Sequence, residues 1–202
     1  MQDRYSTNTY YLVRHGEAEN NILGVLNATE RGEYALTPRG REQIHHLAAW
    51  LTKESVDFIV ASPLKRARET AEILRDTLKV PLSIDVRLCE PQFGVFEGQQ
   101  IDTFLEFMQT HGSRTLGDTD LHVEGFMDVR ERIRSFLETT NEVFAQKRMV
   151  IVSHADTLQE LYAELLGEPV GAEQGSRGWF PQNGSGLLLS DGEPMRGFDP
   201  TL

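Results

Sequence analysis

The chain has 202 residues, a hydrophobic fraction of 39% and a formal net charge of −11 from 20 basic and 31 acidic side chains. This length and apolar content suit one substantial core, so we expect a single domain over residues 1–202. The acidic balance argues against nucleic acid and anionic lipid as partners. The sequence has no apolar run long enough for a membrane span and no secretory signal pattern, so we expect a cytoplasmic protein.

Five apolar runs have the length and β-branched content of buried strands. In chain order they cover residues 10–13, 56–60, 81–86, 149–152 and 187–189, and the third is the weakest. Runs without polar alternation are typical of strands that are covered on both faces of a sheet.

Amphipathic stretches separate these runs. The first begins at Thr37-Pro38, an N-cap residue followed by proline in the first turn. Further helical stripes run through residues 64–78, 127–144 and 158–165, and another helix is expected over 101–108. The stripe over 127–144 includes Met127 and Phe144. Strands that alternate with helices predict an α/β fold, a three-layer αβα sandwich with a mostly parallel central sheet.

Polar residues follow three of the predicted strands at the point where each strand ends. Arg14 and His15 follow the first strand, His154 follows the fourth, and Arg66 lies in the first turn of the helix after the second. In open α/β sheets ligands bind beyond the carboxyl ends of the strands. These side chains are therefore expected to line one pocket.

Two imidazoles, two guanidiniums and helix N-terminal amides suit a phosphoryl group. A neutral imidazole can attack phosphorus, while a second, protonated imidazole and the arginines stabilise the equatorial oxygens. An alkoxide is a poor leaving group, so a carboxylic acid must protonate it. Glu90 follows the weak strand and precedes a glycine-containing turn, which makes it the candidate acid.

Several segments resemble the histidine phosphatase superfamily in its phosphoglycerate-mutase-like branch. The signature is LVRHGEAEN over residues 12–20, and the other similar segments, in the family's order, are 36–43, 61–74, 88–98, 132–137 and 149–154. The resemblance implies a phosphoglycerate-mutase-like fold that works without a metal or other cofactor.

Carried over residue by residue, the resemblance implies that His15 becomes phosphorylated. It implies that Glu90 acts first as acid and then as base. The residues expected to hold the phosphoryl group or the substrate are Arg14, Gly16, Asn20, Arg66, His154 and Ala155. Asn183 is expected either to form a turn into the last strand or to border this pocket.

The sequence therefore predicts a metal-independent phosphomonoesterase that acts on a small phosphorylated metabolite through a phosphohistidine. The alternatives are a phosphoglycerate-type mutase and an inactive family member that serves as a protein-binding module. The predicted partner is the small phosphorylated substrate, and a homodimer is one candidate assembly. Substrate choice is expected to lie mainly in segments 22–34, 103–125 and 168–182, the last of which contains Arg177, Trp179 and Phe180.

Overall fold

The structure, a computed structural model, describes residues 8–112, 117–170, 181–190 and 193–198. Within these residues the strands are β1 (Thr9–Arg14), β2 (Phe58–Ala61), β3 (Leu82–Ile84), β4 (Arg148–Ser153), β5 (Gly186–Ser190) and β6 (Glu193–Phe198). The α-helices are α1 (Glu19–Leu23), α2 (Pro38–Leu51), α3 (Lys65–Leu78), α4 (Ile101–His111), α5 (Phe126–Val143) and α6 (Ala155–Leu166).

The strands form one sheet in the order β3-β2-β4-β1-β5-β6. Strands β1 to β4 pair in parallel, whereas β5 is antiparallel to both β1 and β6. Arg14 pairs with Ser153 at the carboxyl ends of β1 and β4, and Ala61 pairs with Val152 on the other side of β4. The three strands that precede the predicted site residues are therefore adjacent and end at one edge.

Helices cover both faces of the sheet. Side chains of β1, β2, β4 and β5 alternate between two cores, as the two-residue period of a strand requires. Tyr11 and Val150 face the core formed with α2 and α3, whereas Leu12 and Ile151 face the core formed with α5 and α6. This arrangement confirms the three-layer αβα sandwich with a mostly parallel sheet.

The helix boundaries follow local signals in the sequence. Thr37 caps α2 because its Oγ1 accepts a hydrogen bond from Gly40 N over 3.0 Å, with Pro38 in the first turn. Helix α6 ends at Gly167, whose φ of 71° is the left-handed conformation that glycine adopts without strain. Both boundaries agree with the sequence pattern.

The predicted apolar stripe of α5 is wrong at both ends. Met127 is 50% exposed, and Phe144 lies beyond the last helical residue and is 38% exposed. The middle of the stripe is confirmed, because Ile133 and Phe136 are buried and share a face at helical spacing with Val129. Met127 lies two residues before Val129 and therefore points away from that face.

A third apolar cluster lies apart from the sheet. Leu26 and Ala28, which follow α1, pack with Phe93, Phe96 and Phe104. Gly94, with a φ of 56°, and the short 3-10 helix Gly94–Phe96 turn this chain segment back toward the residues after α1. The cluster joins the segment after Glu90 to the segment after the His15 signature.

Among the described residues, no helix is long and apolar enough to span a bilayer. That residues 1–202 form a single domain stays a prediction.

Candidate active site

His15 follows β1 and is 2% exposed. Its Nδ1 lies 2.8 Å from Gly16 O, an acceptor, so Nδ1 carries the ring proton. Its Nε2 accepts a hydrogen bond from Arg66 Nε over 3.1 Å. Burial, together with the charges of Arg66 and Arg14, lowers the pKa of His15 well below 6.5. The imidazole is therefore neutral, with the lone pair of Nε2 directed into the site.

Arg66 lies in the first turn of α3, buried to 3% exposure. Its Nη1 donates to Asn27 Oδ1 over 2.7 Å and its Nη2 to Asn27 O over 2.8 Å. Burial lowers the pKa of Arg66 to about 10, so the guanidinium keeps its charge at neutral pH. Sequence reasoning missed Asn27, since nothing local in the sequence links it to an arginine 39 residues away.

His154 is fully buried at the N-cap of α6, and its ring centroid lies 5.1 Å from that of His15. Its Nε2 lies 2.7 Å from Ser62 Oγ, which also accepts from Leu64 N over 3.3 Å. Burial and the nearby Arg66 charge lower the pKa of His154 well below 6.5. His154 is therefore neutral in the free protein, because solvent is excluded and the neighbouring guanidiniums repel a further positive charge. Its protonation beside a bound phosphoryl group stays a prediction.

The Ser62 hydroxyl is the hydrogen-bond partner of His154 Nε2 at 2.7 Å, and its contact with Cys89 Sγ is much longer, at 4.0 Å. When this hydroxyl donates to Nε2, neutral His154 carries its own proton on Nδ1. Nδ1 has no hydrogen-bond partner among the described residues and lies 3.8 Å from Glu90 Oε2.

Glu90 lies beside the N-terminus of α6 and is 8% exposed. Its Oε1 accepts a hydrogen bond from Asp156 N over 3.1 Å. The preceding residues are held by side chains from β4 and α6, because Ser153 Oγ donates to Leu88 O over 2.7 Å and Thr157 Oγ1 to Cys89 O over 2.6 Å. These bonds place the carboxyl next to His154 although Glu90 itself lies on an irregular segment.

Arg14 ends β1, where its Nη1 donates to Pro181 O over 2.9 Å. Burial lowers its pKa to about 10, and the charge of Asp156 opposes that change. Arg14 Nε is buried and has no hydrogen-bond partner among the described residues, as is also true of His154 Nδ1. Two unsatisfied buried nitrogens beside Arg66 form a site that a bound anion would complete.

Gly16, Ala155 and Asn20 have different surroundings. Gly16 N donates to Thr70 Oγ1 over 3.2 Å, and a Cβ at Gly16 would lie 2.5 Å from Gly40 O. Ala155 is the first residue of α6. Asn20 is buried and donates to Val25 O over 3.4 Å, whereas its Oδ1 has no partner among the described residues. Gly16 thus meets a packing requirement, and among the described residues no side-chain hydrogen bond joins Asn20 to His15 or His154.

Asn183 lies in the turn that leads into β5 and also borders the site, so both expectations for it are confirmed. Its Nδ2 lies 3.3 Å from His15 O and 3.2 Å from Asn21 Oδ1. The Asn183 side chain therefore links His15 to Asn21, a residue that sequence reasoning did not single out. The remainder of the predicted substrate loop, residues 171–180 with Arg177, Trp179 and Phe180, lies outside the described residues.

Within the ranges that the structure describes, three or more His, Cys, Asp or Glu side chains nowhere converge as metal ligands would. Metal independence stays a prediction.

Known proteins resemble this chain in both sequence and fold. The model of the histidine phosphatase superfamily (branch 1) matches residues 10–183. The adenosylcobalamin/alpha-ribazole phosphatase of Escherichia coli K12 is 30% identical over 166 residues, which cover 80% of this chain and 81% of that protein. A protein of Escherichia fergusonii named "Probable phosphoglycerate mutase GpmB" is 31% identical over 168 residues, which cover 81% and 77%.

A solved structure shows the same fold. The mycobacterial glucosyl-3-phosphoglycerate phosphatase, in a complex with VO3, has a TM-score of 0.77, 24% identity, and coverage of 90% of this chain and 92% of that one. The chain belongs to the histidine phosphatase superfamily, branch 1. Its place in that family, with relatives named as phosphatases, makes it a phosphatase.

Proposed function

We propose that the protein is a metal-independent phosphomonoesterase that hydrolyses a small phosphorylated metabolite through a phosphohistidine at His15. The observation that carries this proposal is the 2.8 Å contact between His15 Nδ1 and Gly16 O, an acceptor that holds the ring proton on Nδ1. Because Nδ1–H is held by Gly16 O, the lone pair of Nε2 lies on the same side as Arg66, His154 and Glu90. A neutral imidazole held in this way is a nucleophile that needs no metal for activation.

In the first step, His15 Nε2 attacks phosphorus as the bond from phosphorus to the ester oxygen breaks. The electron pair of that bond goes to the ester oxygen, which takes the proton of the Glu90 carboxyl group. The Arg66 Nε–H, which donates to His15 Nε2 in the free protein, now donates its hydrogen bond to a phosphoryl oxygen. Arg14 Nε–H and His154 Nδ1–H donate to the other phosphoryl oxygens. These donors satisfy the negative charge that builds on the oxygens in the transition state.

In the second step, water attacks the phosphorus of phosphorylated His15. The Glu90 carboxylate takes a proton from the water as the bond between phosphorus and Nε2 breaks. The electron pair returns to His15 Nε2, and inorganic phosphate leaves. Glu90 ends the cycle protonated, ready for the next ester.

A small substrate is favoured by the depth of the reacting groups. His15, Arg66 and His154 are each at most 3% exposed, so the phosphorus must reach beneath the surface. A slender ester can do this, whereas a phosphorylated side chain on a folded protein would carry its backbone into the surrounding walls. The named phosphatase relative also suggests a small-molecule substrate.

Phosphoglycerate mutation is the second candidate, and the mutase-named relative favours it. In a mutase, the phosphoryl group on His15 passes to a hydroxyl of the retained product rather than to water. Only about 28 residues separate Gly98 from Met127, which is short for a lid that would hold such an intermediate. The intact site set His15, Arg66, His154 and Glu90 argues against an inactive binding module.

A panel of phosphorylated metabolites, assayed for phosphate release with and without a strong chelator, tests the proposal. We expect release from at least one small ester at a rate that the chelator does not change. Loss of activity on chelation with recovery on adding a divalent cation would contradict metal independence. A phosphoglycerate supplied with a bisphosphoglycerate primer separates the two reactions, because isomer formation faster than phosphate release indicates a mutase.

A further inference from the structure

The carboxylate of Glu97 organises the loop that holds Arg66. Its Oε1 accepts hydrogen bonds from Asn27 Nδ2 over 3.0 Å, Thr29 N over 3.2 Å and Thr29 Oγ1 over 3.0 Å. Ala28 N lies 3.0 Å from Oε1 and 3.1 Å from Oε2. Three successive residues of one loop thus wrap around a single partly buried carboxylate from a distant segment.

This carboxylate fixes which end of the Asn27 amide faces Arg66. Asn27 Nδ2 is surrounded by three acceptors, namely Thr29 O at 2.9 Å, Arg31 O at 3.0 Å and Glu97 Oε1 at 3.0 Å. A rotated amide would place Oδ1 against three oxygens, which is strongly unfavourable. Oδ1 must therefore face Arg66 Nη1, from which it accepts a hydrogen bond over 2.7 Å.

The two contacts between Asn27 and Arg66 determine where the guanidinium fork points. With Nη1 and Nη2 both held by Asn27, the third guanidinium nitrogen, Nε, is directed at His15 Nε2. A planar fork held at two nitrogens has no freedom to turn about its own axis. Burial lowers the pKa of Arg66 to about 10, and the negative charge of Glu97 acts in the opposite direction.

We infer that Glu97 is a positioning residue for phosphoryl transfer, which acts through Asn27 to aim Arg66 Nε at the site where the phosphoryl group binds. The inference rests on the proposed function, since Arg66 is taken to hold the phosphoryl group there. Asn27 and Glu97 do not touch the reacting atoms in this account. They determine the orientation of the cation that does.

A double-mutant cycle of Glu97→Gln and Arg66→Lys tests the inference. Glutamine keeps the length of the side chain but loses the charge and turns an NH2 group toward the loop donors. We expect Glu97→Gln to lower kcat/KM about tenfold or more and to weaken binding of inorganic phosphate in the Arg66 protein. In the Arg66→Lys background, which lacks the fork, the same change should have little further effect.

The matched control is Glu54→Gln. Glu54 is also a partly buried carboxylate, and it accepts a hydrogen bond from Tyr11 Oη over 2.9 Å and pairs with Arg148 at 2.8 Å, near the beginning of β1 and β4. We expect this variant to lose stability while kcat/KM of the folded fraction and phosphate affinity stay within about twofold of the wild type. Equal kinetic losses in both carboxylate variants would overturn the positioning role.

Independent effects of Glu97→Gln and Arg66→Lys, which multiply in the double variant, would also overturn the inference. If Glu97→Gln does not fold, the same cycle with Asn27→Ala decides, because Asn27 carries the coupling. When the double-mutant cycle is measured as the affinity for inorganic phosphate, it gives a result whether or not a phosphohistidine forms. Absence of label on wild-type His15 would defeat the proposed function alone, whereas uncoupled phosphate affinities would defeat the positioning role alone.

Discussion

Arg66 Nε donates a hydrogen bond to His15 Nε2 over 3.1 Å, so in the free protein the lone pair of the proposed nucleophile is engaged in a hydrogen bond with a cation. Burial is the largest cause of the lowered pKa of His15, and the Arg66 charge acts in the same direction, because a proton on Nε2 would face the guanidinium. The contact also means that Nε2 can attack only after the Arg66 Nε–H hydrogen bond passes from His15 to another acceptor. A phosphoryl oxygen is such an acceptor, so substrate binding and release of the nucleophile are coupled.

Replacement of Arg66 by glutamine tests this coupling. Removing the positive charge stabilises the imidazolium, so the pKa of His15 should rise and protonation should begin at higher pH than in the wild type. We also expect kcat/KM to fall about 10²-fold, because a donor to the phosphoryl oxygens is lost. Titration of the His15 ring signals by NMR measures the first effect. Arg68→Gln is the control, since Arg68 lies on the same helix but pairs with Glu33 at the surface. An unchanged His15 titration in Arg66→Gln would contradict the account.

The two buried histidines make stability depend on pH. In the unfolded chain both titrate near 6.5, whereas burial lowers the pKa of His15 and of His154 in the folded protein. Below pH 6.5 the unfolded state therefore binds more protons, and the free energy of unfolding falls as the pH falls, by about 1.4 kcal/mol per pH unit for each histidine. Above pH 6.5 this contribution to stability is fully present.

Urea denaturation between pH 7 and pH 5 measures this dependence. In His154→Asn the slope of unfolding free energy against pH should decrease by about one proton. His45→Asn is the control, because His45 is exposed on α2, and its slope should match the wild type. Equal slopes in His154→Asn and the wild type would show that His154 titrates normally in the folded protein.

Glu90→Gln should affect esters according to their leaving groups. Without the acid, an alkyl phosphate must expel an alkoxide, so we expect His15 phosphorylation to slow by about 10² to 10⁴-fold. p-Nitrophenolate leaves without a proton, so the burst of p-nitrophenol in the first turnover should persist while steady turnover slows for lack of a base. Rapid-mixing kinetics with both esters measures the two steps. A similar loss of burst rate for the two esters would argue against Glu90 as the acid.

Gly16→Ala should destabilise the fold rather than remove a phosphate contact. The added Cβ would lie 2.5 Å from Gly40 O, and the backbone there cannot move without shifting α2. We expect a loss of about 1–3 kcal/mol in unfolding free energy. Gly186→Ala is the matched control, because its Cβ would meet Leu47 and Val13 at 3.4 and 3.5 Å, an ordinary contact distance. Thermal unfolding of both variants compares them directly, and a Gly16→Ala protein as stable as Gly186→Ala would refute the packing role.

Much of the fold was predictable because its signals are local. Thr37-Pro38 marks the start of α2, and apolar runs mark β1 and β4. Strand β6 (Glu193–Phe198) carries two charged residues, a proline and a glycine, so it has no apolar run and was missed. Helix α1 has only five residues, too few for a helical period to show.

The site was predictable only in part, for a related reason. His15 and His154 each follow a strand, so their convergence follows from the parallel order of β1 and β4. Asn27, Ser62 and Glu97 support the site through contacts between segments that are distant in sequence. Neither hydrophobic periodicity nor the residue types of a turn predict a contact between segments that are distant in sequence. The neutral state of His154 likewise depends on burial, which only the packed structure shows.

The most direct test of the account is to trap the protein covalently labelled after brief exposure to a labelled phosphate ester. We expect label on His15 that is lost in acid and kept in base, as for a bond between phosphorus and nitrogen, and no label on His15→Ala under the same conditions. His46→Ala, a change at an exposed histidine of α2, should label like the wild type. Label that survives acid, or that persists in His15→Ala, would contradict the assignment of His15 as nucleophile.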